Sequence, residues 1–178
     1  MKLNFSKTRV VIFFKLCSYL CVIALVLSFL YMQGYRINLS GSLPYWFFKV
    51  SVVNDKIISR GDYVIVDYSL IKDNPIIETA LDRKYLNRQL PMGKQIGAVS
   101  GDIILLKDDR FFVNGEDLGY MKVLSADSRG DPLFPFPTPE ILQSGQYWLI
   151  SNPERGFDSR YFGYVDISCI IYIAYPVF

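Results

Sequence analysis

The chain has 178 residues, with 51% hydrophobic and 16% aromatic side chains, three cysteines and no histidine. This length is sufficient to bury a core without disulfide bonds. The absence of histidine excludes Ser-His-Asp and Cys-His catalysis and any histidine-ligated zinc site. Three cysteines cannot form a four-cysteine metal site within one chain, and we expect no metal or other cofactor. A hydrolase of this composition must take its general base from lysine, tyrosine or a carboxylate.

The formal net charge of +2 is divided unequally along the chain. Residues 1–36 contain five basic and no acidic side chains. The remaining 142 residues carry 14 basic and 17 acidic groups, a balance of −3. A nucleic-acid-binding domain would carry excess positive charge on its folded part. We therefore predict no nucleic-acid partner.

One long apolar segment, residues 10–32, is interrupted by a single charge at Lys15. As a helix with a rise of about 1.5 Å per residue it would cover about 34 Å, enough to cross a hydrocarbon core of about 30 Å. The basic residues before it predict a cytoplasmic amino terminus. A cleaved signal peptide is the alternative, but residues 28–34 contain no small-x-small cleavage site. An uncleaved anchor is the favoured interpretation.

These features predict three regions of the chain: a basic cytoplasmic stub at 1–9, a transmembrane anchor at 10–33 and a folded domain at 34–178. The lipid bilayer is therefore a predicted partner. The folded region contains one cysteine, Cys169, so it must be stable without an internal disulfide bond.

The residues after the anchor have the pattern of a mainly β, antiparallel domain with one or two short helices. Short hydrophobic runs follow turn residues, and Asn114-Gly115 is a strong hairpin signal. The predicted strands cover residues 62–67, 102–106, 109–113, 146–150 and 167–175. A helix is predicted with Asn74 as its cap and Pro75 in its first turn. Its predicted apolar stripe consists of Ile76, Ile77, Ala80, Leu81 and Tyr85.

A serine nucleophile paired with a neutral lysine can replace histidine chemistry. An exposed lysine has a pKa of about 10.4, so neutrality at pH 7 requires about 4.6 kcal/mol, which burial can supply. Ser42 lies in the turn-like segment Ser-Gly-Ser-Leu-Pro at 40–44, and Lys94 lies among small and apolar residues at 92–99. Each signal alone is weak, because the first could be an ordinary turn and the second a solvated lysine.

Four segments in order resemble the signatures of type I signal peptidases. The segment at 40–44, shortly after the anchor, is similar to the nucleophile segment, and residues 60–66 (RGDYVIV) are similar to the second signature. Lys94 precedes Asp102 of Gly-Asp by eight residues, the spacing of the family's general base. Residues 157–163 (FDSRYFG) resemble the last signature. The short length and the proline after Ser-Leu most resemble the conjugative-transfer (TraF-type) branch.

The resemblance implies a membrane-bound serine endopeptidase that cleaves leader peptides from exported precursors, such as a pilin or another conjugative-transfer protein. Ser42 would attack the scissile carbonyl, and Lys94 would accept its proton and later deliver it to the leaving amine. The backbone N–H of Ser42 and the hydroxyl of Ser40 would form the oxyanion hole. The resemblance gives a supporting role without chemistry to Asp158, Ser159 and Arg160.

The resemblance also implies a protein of the bacterial inner membrane with its catalytic domain in the periplasm. Its substrates would bind extended along a sheet edge and carry small residues at the first and third positions before the cut. The conjugation or secretion machinery is a further expected partner. Within the site, Asp158 and Arg160 are expected to form an ion pair.

Two alternative functions remain open at this point. The family has a serine, which is a partner for the lysine, two residues before the aspartate of Asp-Ser-Arg, and this chain has Gly156 there. Without that serine, a catalytic protein needs another group to orient Lys94. The first alternative is therefore that the protein is a non-catalytic, membrane-anchored β module of a secretion or conjugation apparatus. A self-cleaving Ser/Lys repressor would need a DNA-binding domain, for which residues 1–36 leave no room.

The aromatic run Trp46-Phe47-Phe48 allows two interpretations. It could pack in a strand or the core, or it could form an apolar patch at the membrane interface, where tryptophan is enriched.

Overall fold

A computed structural model describes residues 4–38, 43–54, 57–71, 74–151 and 156–177 of the chain. The chain divides into two compact units, Met1–Arg36 and Ile37–Phe178. The helices are α1 (Asn4–Met32), α2 (Pro75–Asp82) and α3 (Ser159–Phe162). The strands are β1 (Tyr35–Ile37), β2 (Phe47–Val52), β3 (Tyr63–Val66), β4 (Met92–Ala98), β5 (Ile103–Lys107), β6 (Arg110–Val113), β7 (Glu116–Lys122), β8 (Glu140–Ile141), β9 (Gln146–Ile150), β10 (Val165–Asp166) and β11 (Ile170–Pro176).

The first unit consists mainly of α1, a helix of 29 residues. Its segment Arg9–Met32 has a mean hydropathy of 2.6, and none of that segment is buried within the protein. Among the described residues, this is the one helix long and apolar enough to cross a membrane. The charged residues of that segment, Arg9 and Lys15, lie near its amino end, and the remaining apolar surface is long enough to cross a bilayer.

The second unit is built on two sheets. From β2 onward the larger sheet has the order β2-β11-β3-β4-β9-β10, and the smaller has four strands in the order β7-β6-β5-β8. Neighbouring strands from β2 onward pair antiparallel. The predicted mainly β, antiparallel fold is therefore confirmed. Because β4 lies between β3 and β9, its side chains have sheet neighbours on both sides.

The two faces of the larger sheet pack against different groups of side chains. Along β3, Val64 and Val66 belong to a core that includes Ile77 of α2, whereas Ile65 packs towards Phe48 of β2 on the other face. This alternation follows from the two-residue repeat of a strand. A third core joins residues of the smaller sheet, such as Phe111 of β6, to Trp148 of β9 in the larger sheet.

The predicted helix is present as α2, with the cap identified in the sequence. The Asn74 side chain accepts hydrogen bonds from the backbone N–H groups of Ile76 and Ile77, both at 3.1 Å, and Pro75 is the first helical residue. The apolar stripe differs in two places. Ile76 is 40% exposed, and Tyr85 lies beyond the end of the helix at Asp82.

The Asn114-Gly115 hairpin is also confirmed, between β6 and β7. Both residues have positive φ angles, 52° and 84°, as a type I′ turn requires. The predicted strand at 167–175 was wrong at its start, because Ile167–Cys169 form a 3₁₀ turn that leads into β11. Strand β4 was not predicted, since Gly93 and Gly97 weaken its local strand signal.

Asp102 joins three turns of the second unit. Its carboxylate accepts hydrogen bonds from Val99 N at 2.9 Å and Asn114 Nδ2 at 2.8 Å. It also forms a salt bridge with Arg60 at 2.9 Å. The turn before β3, the turn before β5 and the β6–β7 hairpin are thereby fixed relative to one another.

Gly163 follows α3 in a backbone conformation that few other residues adopt. Its φ of 82° and ψ of −155° lie in a region that is essentially restricted to glycine. A β-carbon at this position would lie 2.3 Å from Cε2 of Phe136. Both the backbone and the neighbouring ring therefore require glycine here.

We expect Gly163→Ala to lower the free energy of unfolding by about 3 kcal/mol or more, because backbone strain and displacement of the Phe136 ring each cost about 1–3 kcal/mol. Gly61→Ala is the matched control: its φ is 87°, but no atom lies within 4 Å of the added carbon. We expect this control to cost about 1–2 kcal/mol. Urea unfolding of the full chain in detergent measures both, and equal losses would contradict the packing argument.

Candidate active site

Lys94 lies in the middle of the larger sheet and is 1% exposed. It is on β4, directly opposite Val64 of β3. Val64 is itself fully buried, so this side of the lysine stem is covered by an apolar side chain. A lysine so completely buried is rare and requires hydrogen-bond partners for its amine.

Two oxygen atoms supply those partners. Lys94 Nζ donates hydrogen bonds to Ser151 Oγ and to the backbone carbonyl oxygen of Phe157, the latter at 2.8 Å. On the neighbouring strand, Gln95 pairs with Ile150, and continuing that register by one residue places Ser151 opposite Lys94. Directly opposed residues of antiparallel strands project from the same face, which accounts for the contact.

Burial lowers the pKa of Lys94 from 10.5 to about 8. The Asp158 carboxylate raises this pKa and the Arg160 guanidinium lowers it, both by less than burial does. Roughly a tenth of the side chain is therefore neutral at pH 7, against less than a thousandth for an ordinary lysine. The amine is thus able to accept a proton near physiological pH.

Asp158 and Arg160 form a buried ion pair beside this amine. Arg160 Nε donates to Asp158 Oδ1 at 2.8 Å and Nη2 donates to Oδ2 at 2.9 Å, and both side chains are 1% exposed. Arg160 also donates to the carbonyl oxygens of Lys122 at 2.7 Å and Gly156 at 2.8 Å. The paired charges have further partners, as a buried ion pair requires.

The ion pair fixes the backbone that contacts Lys94. Asp158 Oδ2 accepts a hydrogen bond from Ser151 N at 2.9 Å, and Asp158 caps α3 through Arg160 N. Ser159 Oγ accepts a hydrogen bond from Leu149 N at 2.7 Å, which joins α3 to β9. The Ser151 hydroxyl and the Phe157 carbonyl are therefore attached to one rigid unit.

The predicted nucleophile Ser42 and its neighbour Ser40 lie outside the described residues. Leu43, the first described residue after Ser42, is buried. A β-carbon at Gly93 would lie 2.6 Å from Leu43 Cδ1, so the Leu43 side chain occupies the space beside Gly93. The residue after Ser42 thus contacts the residue before Lys94.

The aromatic run is divided between the core and the surface of the second unit. Phe48 is 2% exposed and belongs to a core, whereas Trp46 is 68% and Phe47 43% exposed. Phe47 and Phe48 begin β2, where successive side chains point to opposite faces.

Two groups at the site were missed by sequence reasoning: the Ser151 hydroxyl and the Phe157 carbonyl. The four sequence segments indicated Lys94 and the Asp158–Arg160 region, and the structure brings these together. Ser151 belongs to no signature, and its proximity to Lys94 depends on the β4–β9 register. Ser151 could have been found from the sequence only by pairing β4 with β9 in the correct register.

A buried lysine with a lowered pKa and two hydrogen-bond acceptors has the properties that a general base requires. The family model "Signal peptidase, peptidase S26" matches residues 10–176. The chain therefore belongs to the S26 signal peptidase family.

The chain is also similar in sequence to proteins named for conjugal or plasmid transfer. The chain is 30% identical over 151 residues to "Conjugal transfer protein TraF" of Agrobacterium fabrum, covering 82% of both chains. It is 27% identical over 158 residues to "Plasmid transfer protein TraF" of Escherichia coli, covering 83% of this chain and 84% of the relative. Among solved structures, a signal peptidase I from Enterococcus faecalis matches 65% of this chain and 94% of its own, with 19% identity and a TM-score of 0.39.

We expect Asp158→Asn to lower the free energy of unfolding by about 3–5 kcal/mol, because it leaves the Arg160 charge buried without its counter-charge. Glu78→Gln removes one partner of the exposed Arg88–Glu78 salt bridge and serves as the control. It should cost less than about 1 kcal/mol. Urea unfolding in detergent measures both variants, and a loss below 1 kcal/mol for Asp158→Asn would show that the pair does not hold the site together.

Proposed function

We propose that this protein is a membrane-anchored serine endopeptidase in which Ser42 and Lys94 form the catalytic dyad. The observation that carries the proposal is the buried amine of Lys94, which is held by two hydrogen bonds and has a pKa of about 8. A lysine in this state can act as a general base without histidine.

The neutral Lys94 amine takes the proton from the Ser42 hydroxyl as its Oγ attacks the scissile carbonyl. The negative charge on the carbonyl oxygen is stabilised by the Ser42 backbone N–H and the Ser40 hydroxyl. The C–N bond of the tetrahedral intermediate then breaks, and the Lys94 ammonium gives its proton to the leaving amine. Water attacks the acyl-enzyme in a second cycle of the same proton transfers, which restores the serine.

Packing next to the dyad supports the pairing of these two residues. Leu43 fills the space that a side chain at Gly93 would occupy. Ser42 and Lys94 each neighbour, along the chain, one member of this contact. Asp158, Ser159 and Arg160 support the site by holding the backbone around Lys94 and take no part in proton transfer.

We further propose that α1 anchors the protein in the bacterial inner membrane. Residues 1–9 would lie in the cytoplasm, residues 10–33 in the bilayer and residues 34–178 in the periplasm, in agreement with the basic amino-terminal segment. The exposed Trp46 and Phe47 would contact the bilayer surface. Because the relatives are conjugal and plasmid transfer proteins, the proposed substrate is the precursor of a pilin or another transfer protein.

A non-catalytic assembly role is the competing function. Its main support is Gly156, which stands where the family has a serine that binds the lysine. The hydrogen bond from Lys94 to Ser151 weakens that support, because the lysine has a hydroxyl partner from another position. Burying a lysine also reduces stability. A purely structural module would gain stability from an apolar side chain at position 94.

We expect Ser42→Ala and Lys94→Met each to reduce precursor cleavage at least about 1,000-fold, since each removes one member of the dyad. The exposed Lys107→Met is the matched lysine control and should cleave normally. The assay co-expresses the full chain with candidate small membrane precursors and identifies the products by mass spectrometry. Undiminished cleavage by either dyad variant would contradict the mechanism.

The rate should rise with pH, because the neutral form of Lys94 is the active base. We expect kcat/KM on a cleaved precursor to increase about tenfold per pH unit below pH 8 and to level off above it, with an apparent pKa near 8. Measurements from pH 6 to pH 10.5 in detergent test this expectation. A midpoint near 10.4 would mean that the base is an exposed lysine.

A further inference from the structure

The two hydrogen bonds of Lys94 have a geometric consequence for its neutral form. A neutral primary amine has two N–H bonds and one lone pair, arranged tetrahedrally with the Cε–Nζ bond. The described acceptors of Lys94 are also two, Ser151 Oγ and the Phe157 carbonyl oxygen. When each takes one N–H, rotation about Cε–Nζ is fixed and the lone pair points in the remaining direction.

The Ser151 hydroxyl is itself held in place. Ser151 is 2% exposed, and its backbone N–H donates to Asp158 Oδ2 at 2.9 Å. The same oxygen accepts Arg160 Nη2 at 2.9 Å. The β4–β9 register sets the position of Ser151 along the strand, and the ion pair sets the position of its backbone. The backbone that carries Oγ is therefore held beside Lys94, and Oγ accepts the hydrogen bond from Nζ.

We propose that Ser151 is a positioning residue that aims the lone pair of Lys94. This inference rests on the proposed function, because it concerns the base of the Ser42–Lys94 dyad. The lone pair accepts the proton of the Ser42 hydroxyl, and Nζ then carries three N–H bonds. Two of them stay on Ser151 and Phe157, and the third is the proton that passes to the leaving amine. Ser151 neither gains nor loses a proton in this cycle.

Removing the Ser151 hydroxyl should change the reaction in two ways. The amine keeps one fixed N–H, so its lone pair samples directions that do not reach the nucleophile. A hydrogen bond to the ammonium form also favours that form, so its loss should lower the pKa of Lys94 further. Among the described residues, Asp158 and Arg160 are the charged groups that act on Lys94. Ser151→Ala leaves both in place, because the bond to Asp158 comes from the backbone N–H.

A purely structural role for Ser151 predicts the opposite pKa change. If the variant merely loosened the site, water would reach Lys94 and its pKa would move up towards 10.5. Val113→Ala is the control for general destabilisation, since Val113 is fully buried in the smaller sheet. This control should lower the unfolding temperature without changing kcat or the pH midpoint.

The experiment compares wild type, Ser151→Ala and Val113→Ala as full chains in detergent, with a precursor that the wild type cleaves. We expect Ser151→Ala to lower the plateau kcat about 10- to 100-fold, to leave KM within about threefold, and to shift the pH midpoint below 8. An unchanged kcat and midpoint would overturn the proposal. So would a loss of activity accompanied by a midpoint that rises.

A second measurement needs no substrate and separates this proposal from the proposed function. Lysines labelled with ¹³C report the titration of Lys94 through its Cε resonance, which Lys94→Met identifies by its absence. A lower pKa in Ser151→Ala shows that the hydroxyl binds the amine, whereas an unchanged or higher pKa overturns the proposal. Cleavage that survives in Ser42→Ala or Lys94→Met would instead overturn the dyad and leave the titration result intact.

Discussion

The site depends on a single lysine amine that is held away from water inside a β-sheet. Lys94 is on β4, between two other strands, so its stem is enclosed and its amine can reach only the groups that the fold provides. Lowering its pKa from 10.5 to about 8 corresponds to a cost of about 3 kcal/mol. Below pH 8 the folded protein buries the ammonium and the full cost is present. It disappears as the pH rises from about 8 to about 10.5.

The Asp158–Arg160 ion pair holds the backbone around Lys94 in place despite the unfavourable burial of the amine. A lone carboxylate near Lys94 would favour the ammonium and raise its pKa, but the guanidinium opposes that effect. The pair therefore contributes little net charge while it organises the backbone around it. The pair accepts a hydrogen bond from Ser151 N and donates to the carbonyl oxygens of Gly156 and of Lys122 on β7.

The buried lysine lies in a chain that belongs to the S26 signal peptidase family and is similar to conjugation proteins. The chain lacks the serine that the family resemblance predicts at position 156, yet Lys94 has a hydroxyl partner in Ser151. The amine needs an acceptor atom at a given place, and here Ser151, the residue after β9, supplies it. A missing signature residue therefore does not by itself indicate an inactive site.

The sequence alone determined the features that depend on residues close together in the chain. The absence of histidine, the apolar segment at 10–32, the Asn74 cap and the Asn114-Gly115 hairpin each depend on neighbouring residues, and the ordered segments indicated Lys94 and Asp158–Arg160. Only the tertiary structure decided what holds the amine, because Ser151 and Phe157 lie 57 and 63 residues from Lys94 along the chain. Strand β4 was missed because its glycines give a weak strand signal, and without β4 no register could be assigned. The burial of Lys94, and with it the lowered pKa of its amine, is likewise a property of the assembled sheet. The residues next to Lys94 in the sequence cannot by themselves keep water away from it.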